Sequence, residues 1–118
     1  MIDSYLKEFL NKVKALPEFG ELKDISPNSK SALGNTPLHI AAIWNDSKAI
    51  KILANVVELD VKGEEGYTPL HEAIEQQSMD AIDALVSMGA SLEVTNDCGN
   101  NALDLSKIFG IKESVFKK

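Results

Sequence analysis

Arginine is missing from this sequence. All twelve basic residues are lysines, set against 18 acids. The planar guanidinium fork is the favoured group for bidentate recognition of phosphates and base edges, and a polyanion backbone selects a basic face. A net charge of −6 and a pI near 4.8 therefore argue against nucleic acid as the partner. Cysteine is almost as scarce. Cys98 stands alone, so no intramolecular disulfide and no cysteine-based zinc site can form. Long apolar runs are missing too, and nothing approaches the roughly 18 residues of a membrane span. The opening MIDSYLKEFLNKVKAL lacks a basic start followed by an apolar core, so no secretory leader is expected. There is no glycine-rich phosphate loop and no serine nucleophile elbow. The expectation is a cytoplasmic protein without cofactor, metal or membrane attachment.

Lysine is absent from one whole stretch. Residues 66–98 hold Glu72, Glu75, Asp80, Asp83, Glu93 and Asp97 and no base, a net charge of −6. Residues 1–33 are neutral, 34–65 carry −2, and 99–118 carry +2. The acidic excess is therefore local. A hydrophobic content of 44% in 118 residues suffices for one continuous core.

What the chain does have is a phrase written twice and then half-written. Residues 34–42 read GNTPLHIAA, 66–74 read GYTPLHEAI, and 99–105 read GNNALDL. The leading glycines, Gly34, Gly66 and Gly99, are spaced by 32 and 33 positions. Self-similarity at this period marks a solenoid, and the T-P-L-H-x-A core resembles the ankyrin repeat. The motif residues are Gly34, Thr36, Pro37, Leu38 and His39, then Gly66, Thr68, Pro69, Leu70 and His71, then Gly99. The resemblance implies an all-α solenoid of stacked helix pairs with short β-hairpin finger loops. It divides a single domain, 1–118, into an N-terminal helical cap (1–24), a first finger (25–33), repeats at 34–65 and 66–98, and a C-terminal capping repeat (99–118).

Local signals agree with that division. Leu6, Phe9, Leu10, Val13 and Leu16 share one helical face behind Asp3, a suitable N-cap. A second short helix is expected at 18–24, with Phe19 and Leu22 inward. Thr36-Pro37 and Thr68-Pro69 read as N-cap followed by proline at the first helical position, where its missing N–H costs nothing. Asp46 or Ser47, and Ser78, start the outer helices; Gly89 ends the second of them. In the last unit Asn101-Ala102-Leu103-Asp104 replaces TPLH. Two helices are expected there, 102–108 and 112–117, with Lys112, Lys117 and Lys118 at the end.

Catalytic readings are weak. His39 and His71 occupy the same repeat position and read as backbone-bonding residues between neighbouring fingers. A metal site needs further convergent ligands, which His39 lacks nearby. The pairs Glu72/Glu75 and Asp80/Asp83 read as solvated helix charges, since acid–base work needs a buried carboxyl. Cys98 has no neighbouring base to activate it. The chain reads as a non-enzyme.

Arrays that this sequence resembles bind proteins through finger tips and inner helices. The residues expected on that face are Leu33, Asn35, Ile43, Trp44, Glu64, Glu65, Tyr67, Glu72, Glu75, Gln76, Asp97 and Asn100. For Trp44 an interface anchor and a packing residue remain equal readings; Phe109, beside the last cap, reads as packing. The functional expectation is a small acidic inhibitor or adaptor, monomeric when free, that binds a protein with a basic surface. The alternative is an antitoxin- or immunity-like protein that neutralises a basic enzyme such as a nuclease.

Overall fold

The computed structural model describes residues 3–117. The first helix, α1 (Ser4–Lys14), begins where Asp3 accepts hydrogen bonds from the amides of Tyr5 at 2.7 Å and Leu6 at 3.3 Å. Its buried face is Leu6, Phe9, Leu10 and Val13. A helix of this length is marginal in isolation, so docking of that face is what holds it. The helix expected at 18–24 is instead a single 3-10 turn, Pro17–Phe19, which buries Phe19 and leaves Leu22 half-buried. One fully buried side chain anchors one turn there, and Gly20 does not carry the helix on.

The next helices follow the repeat. They are α2 (Pro37–Ile43), α3 (Ser47–Leu53), α4 (Pro69–Glu75) and α5 (Met79–Ser87). Asp46 caps α3 through a 3.0 Å bond from the Ala49 amide, and Thr68 caps α4 through a 3.3 Å bond from the His71 amide. The last helix, α6 (Ala102–Phe109), begins without threonine, proline or histidine. Asn101 accepts from the Asp104 amide at 2.9 Å, and Asp104 accepts from the Asn101 amide at 3.1 Å. This reciprocal capping box replaces the TPLH start with different side chains. Beyond Gly110, in the left-handed region at φ 74°, the expected helix at 112–117 is a 3-10 turn, Glu113–Phe116, that buries Phe116. Lys118, assigned to that helix end, lies outside the described residues.

One layer is built by α2 on α4 and α4 on α6. The other is built by α3 on α5, with the Glu113–Phe116 turn against α5. α1 lies across the start, against both α2 and α3. The core runs unbroken through Leu38, Ile50, Leu53, Leu70, Ile74, Ile82 and Leu85, all fully buried. Alanines at 41, 42, 73 and 81 let the helices approach closely.

The fingers differ from expectation. No strand occurs among the described residues. Each finger closes with the same pair of backbone bonds: Ser31 N–H to Asn35 O at 2.8 Å, Gly63 N–H to Tyr67 O at 2.7 Å and Asn96 N–H to Asn100 O at 2.9 Å, with the amides of Gly34, Gly66 and Gly99 donating back to Ser31 O, Gly63 O and Asn96 O at 2.9, 3.0 and 2.9 Å. The residue before each closing position is Gly34, Gly66 or Gly99, at φ 89°, 73° and 83°. A left-handed glycine turns the chain inside five residues; the backbone bonds stay within that turn and build no ladder, so no strand pair forms among the described residues.

Polar brackets tie neighbouring units. Asn45 Oδ1 accepts from the Ala81 amide at 2.8 Å, Asp60 Oδ1 from the Ser91 amide at 2.9 Å, and Asn35 Oδ1 from the Glu64 amide at 3.1 Å. Gly63 is required beside the last of these. A Cβ there would overlap Asn35 Oδ1 and lie 3.0 Å from His39 Nε2. Gly63→Ala is expected to lower the melting temperature clearly, because each buried polar group left unpaired costs about 1–3 kcal/mol. A thermal melt matching the parent chain would show that the finger yields more easily than this packing implies.

Candidate interaction face

The two histidines are spent on structure. The Thr36 amide donates to His39 Nδ1 at 3.0 Å, so Nδ1 is an acceptor and Nε2 carries the proton. Nε2 then donates to Tyr67 O at 2.8 Å, in the next finger. His71 repeats the arrangement: the Thr68 amide donates to Nδ1 at 3.0 Å, and Nε2 donates to Asn100 O at 2.9 Å. Burial holds both imidazoles below their ordinary pKa. Their contribution to stability is complete above the unfolded-chain value of about 6.5 and is lost as pH falls through the lowered folded value. His71→Asn is expected to lower stability by about 0.5–1.5 kcal/mol, the net value of one such bond. Chemical denaturation at neutral pH reads this directly, and unchanged stability would contradict the bridging role.

The face anticipated from sequence separates into groups with different surroundings. Asn35 is buried, at 3% exposure. Its Nδ2 donates to Glu18 Oε1 at 3.1 Å while its Oδ1 takes the Glu64 amide. It positions the finger and presents little surface. Asn100 is half-buried, and its carbonyl is taken by His71. Leu33, Glu64, Glu65, Gln76 and Asp97 are exposed. The amide of Asp97 donates to Glu65 O at 3.0 Å, linking successive fingers. Ile43 is half-buried against the core.

Tyr67, Glu72 and Glu75 form the centre. The Tyr67 ring lies 5.5 Å from the His71 ring, and its hydroxyl neighbours the Glu75 carboxylate. Burial and that neighbour push the phenol well above its ordinary value. Glu72 is half-buried, not a solvated charge as its sequence neighbours suggest. Burial raises its carboxyl to about 7, and the carboxylates of Glu75, Glu64, Glu18 and Glu65 add repulsion. Glu18 was not anticipated here. It arrives from the Pro17–Phe19 turn and is held by Asn35, a contact spanning 17 positions that leaves no local sequence signal.

Trp44 belongs to a different neighbourhood. Its ring packs edge-on to Phe9 of α1, with centroids 5.7 Å apart, yet 41% of the residue stays exposed. It borders a cleft of about 80 Å³ with Tyr5, Glu8, Phe9, Lys12 and Asp46. The Tyr5 hydroxyl donates to Asp46 at 2.9 Å, and Lys48 Nζ sits 4.6 Å from the Tyr5 ring centroid. One side of Trp44 packs on α1 and the other faces solvent. Phe109 is half-buried against the core, while its neighbour Ile108 is 64% exposed. Cys98 is exposed at the third finger tip. Among the described residues, no helix is long and apolar enough to cross a membrane, and no group of three His, Cys, Asp or Glu side chains is placed to hold a metal ion.

Stacked helix pairs joined by histidine-bridged fingers are a family architecture, and the family can be tested against the sequence. A family model described as ankyrin repeats, in three copies, matches residues 4–106. The chain belongs to the ankyrin-repeat family. The match takes in α1 and the Pro17–Phe19 turn, where the sequence pattern offered periodicity alone. Among curated relatives of this ankyrin-repeat chain, mouse ankyrin repeat and SOCS box protein 11 is 33% identical over 87 residues, covering 71% of this chain and 26% of the relative. Mouse protein phosphatase 1 regulatory subunit 12A is 31% identical over 102 residues, 84% of this chain and 10% of the relative. Human protein phosphatase 1 regulatory subunit 27 is 33% identical over 73 residues, 61% of this chain and 47% of the relative. The chain therefore matches less than half the length of each of these relatives. Ankyrin repeats are in general interaction modules without catalysis of their own.

Proposed function

We propose that this ankyrin-repeat chain is a protein-interaction module whose acidic inner face engages a basic protein, acting as an inhibitor or adaptor. The observation that carries this reading is the gathering of Glu18, Glu64, Glu65 and Glu75 around Glu72, beside Tyr67, contributed by the 3-10 turn, a finger and an inner helix. Fixed like charges raise the encounter rate with an oppositely charged partner and discriminate against acidic ones. The aromatic ring supplies apolar contact at the centre of the charge. Two relatives are named as regulatory subunits of a phosphatase, which favours regulation by contact over chemistry. Neutralising a basic enzyme, as an immunity-like protein does, is the narrower form of the same proposal. The free chain is taken to be monomeric.

Capture from a cell extract at low salt tests this, provided the triple change Glu64→Gln, Glu65→Gln and Glu75→Gln is run beside the parent. The expected result is a folded basic protein retained by the parent and largely lost from the variant. Nucleic acid in the eluate, or equal retention by both, contradicts the proposal.

A further inference from the structure

We propose that the cleft between α1 and the α2–α3 corner is a lysine site, which receives the ammonium head of one side chain of the basic partner. It rests on the proposed function for the source of that lysine, and on separate residues for the site itself. Tyr5, Glu8, Phe9 and Lys12 follow at i, i+3, i+4 and i+7, so they share one side of α1. Trp44, just past the end of α2, and Asp46, the N-cap of α3, close the cleft from the other side. Its volume of about 80 Å³ is well below the roughly 300 Å³ at which pockets for whole small molecules begin, and it suits the tip of one side chain. The aromatic walls are held in place. The Tyr5 hydroxyl donates to both oxygens of Asp46 at 2.9 Å, and Asp46 also accepts from the Ala49 amide at 3.0 Å. Phe9 is buried and pairs edge-on with Trp44. Walls ordered in advance leave less entropy to lose on binding.

Aromatic faces beside carboxylates select a cation. The donors to Asp46 are neutral groups, a phenol and an amide, so they leave its charge in place. Glu8 adds a second carboxylate on an exposed position. Tyr5 already shows what its ring attracts: Lys48 Nζ lies 4.6 Å from the centroid, inside the roughly 6 Å reach of a cation–π contact. Lys48 is not among the residues lining the cleft, so it does not fill it. Trp44 brings an indole, the ring such contacts favour most, and is 41% exposed. A lysine ammonium is a compact point charge with three donors, and it fits so small a cleft better than a planar guanidinium fork. Lys12 is the lining group of opposite sense. It is exposed and competes with an incoming cation. The cleft shares no side chain with the acids around Glu72, so a partner held on the inner face is gripped at a second point.

The test titrates the full chain with two probes at constant ionic strength and neutral pH: N-acetyl-lysine N-methylamide, and the norleucine counterpart, which lacks the ammonium. Emission of Trp44, the sole tryptophan, reports occupancy, and nitrogen-15 NMR locates it. The expected result is a saturable change with the lysine probe, with shifts at the Trp44 indole and the Glu8 amide. Its affinity should exceed that of the norleucine probe by about 2- to 5-fold, the ratio an exposed cation–π contact gives. Glu8→Gln and Lys12→Gln alter exposed side chains, so both variants should fold as the parent does. Glu8→Gln should weaken the lysine probe, Lys12→Gln should tighten it, and neither should move the norleucine probe. Equal affinity for the two probes, a change that does not saturate, shifts confined to residues 64–76, or weaker lysine binding in Lys12→Gln each overturns the proposal. The titration needs no partner. A chain that captures no basic protein but binds the lysine probe contradicts the proposed function and keeps this site; a chain that captures its partner and ignores the probe contradicts this site alone.

Discussion

Removal of residues 99–118 is expected to abolish cooperative unfolding. α6 packs directly on α4, and the Glu113–Phe116 turn packs on α5. The deletion takes away the buried Ala102, Leu105 and Phe116 and uncovers the faces they seal. It also removes Asn100, whose carbonyl accepts the Nε2 proton of His71, leaving a buried donor without a partner. In a one-dimensional array each unit is held by its neighbours, and at least about three are needed for stability. The truncated chain should therefore show a broad, shallow urea transition by circular dichroism, with a reduced denaturant slope because less surface becomes exposed. A sharp transition at the parent midpoint would make the third unit an appendage.

Trp44→Ala is expected to have two separable effects. In the free chain it removes the edge-on pair with Phe9, worth about 0.5–1.5 kcal/mol beyond buried area, and loosens α1 from the end of α2. In the complex it removes an exposed aromatic bordering the Tyr5–Lys12 cleft. A hot-spot aromatic contributes about 2 kcal/mol or more, so binding should weaken by about 30-fold, chiefly through faster dissociation. Trp44→Phe separates the two effects, since it keeps an aromatic partner for Phe9. Normal stability with weakened binding in Trp44→Phe assigns the tryptophan to recognition; normal kinetics in both variants make it a packing residue only. Because Trp44 is the sole tryptophan, its emission also reports directly whether a partner covers it.

Sequence reading succeeded where the physics is short-range. Asp3, Thr68-Pro69 and Gly89 are visible because caps and left-handed stops act within one turn. The histidine bridges were legible for a related reason: the repeat period itself states that His39 and His71 face the same neighbour one unit on. The misses are contacts that no local pattern encodes. Asn35 was expected on the surface, but it is buried because it joins Glu18 to Glu64 across two loops. Glu72 was expected in solvent, but it is half-buried, and among the acids near enough to act on it is Glu18, from a turn far away in sequence. The fingers were expected as hairpins from family resemblance, whereas their backbone bonds stay within one five-residue turn each. Trp44 could not be divided between packing and recognition until α1 was placed, since Phe9 lies 35 positions earlier in the chain.

The central claim is that the face built by the second finger and α4 receives a protein partner. A hydrogen-exchange footprint of the array, free and with its captured partner, tests it most directly. The account predicts new protection over residues 64–76, the third finger and the end of α2 at Trp44, with α5 around Asp80 and Asp83 unchanged. Protection concentrated on α5, with residues 64–76 exchanging as in the free chain, would contradict it.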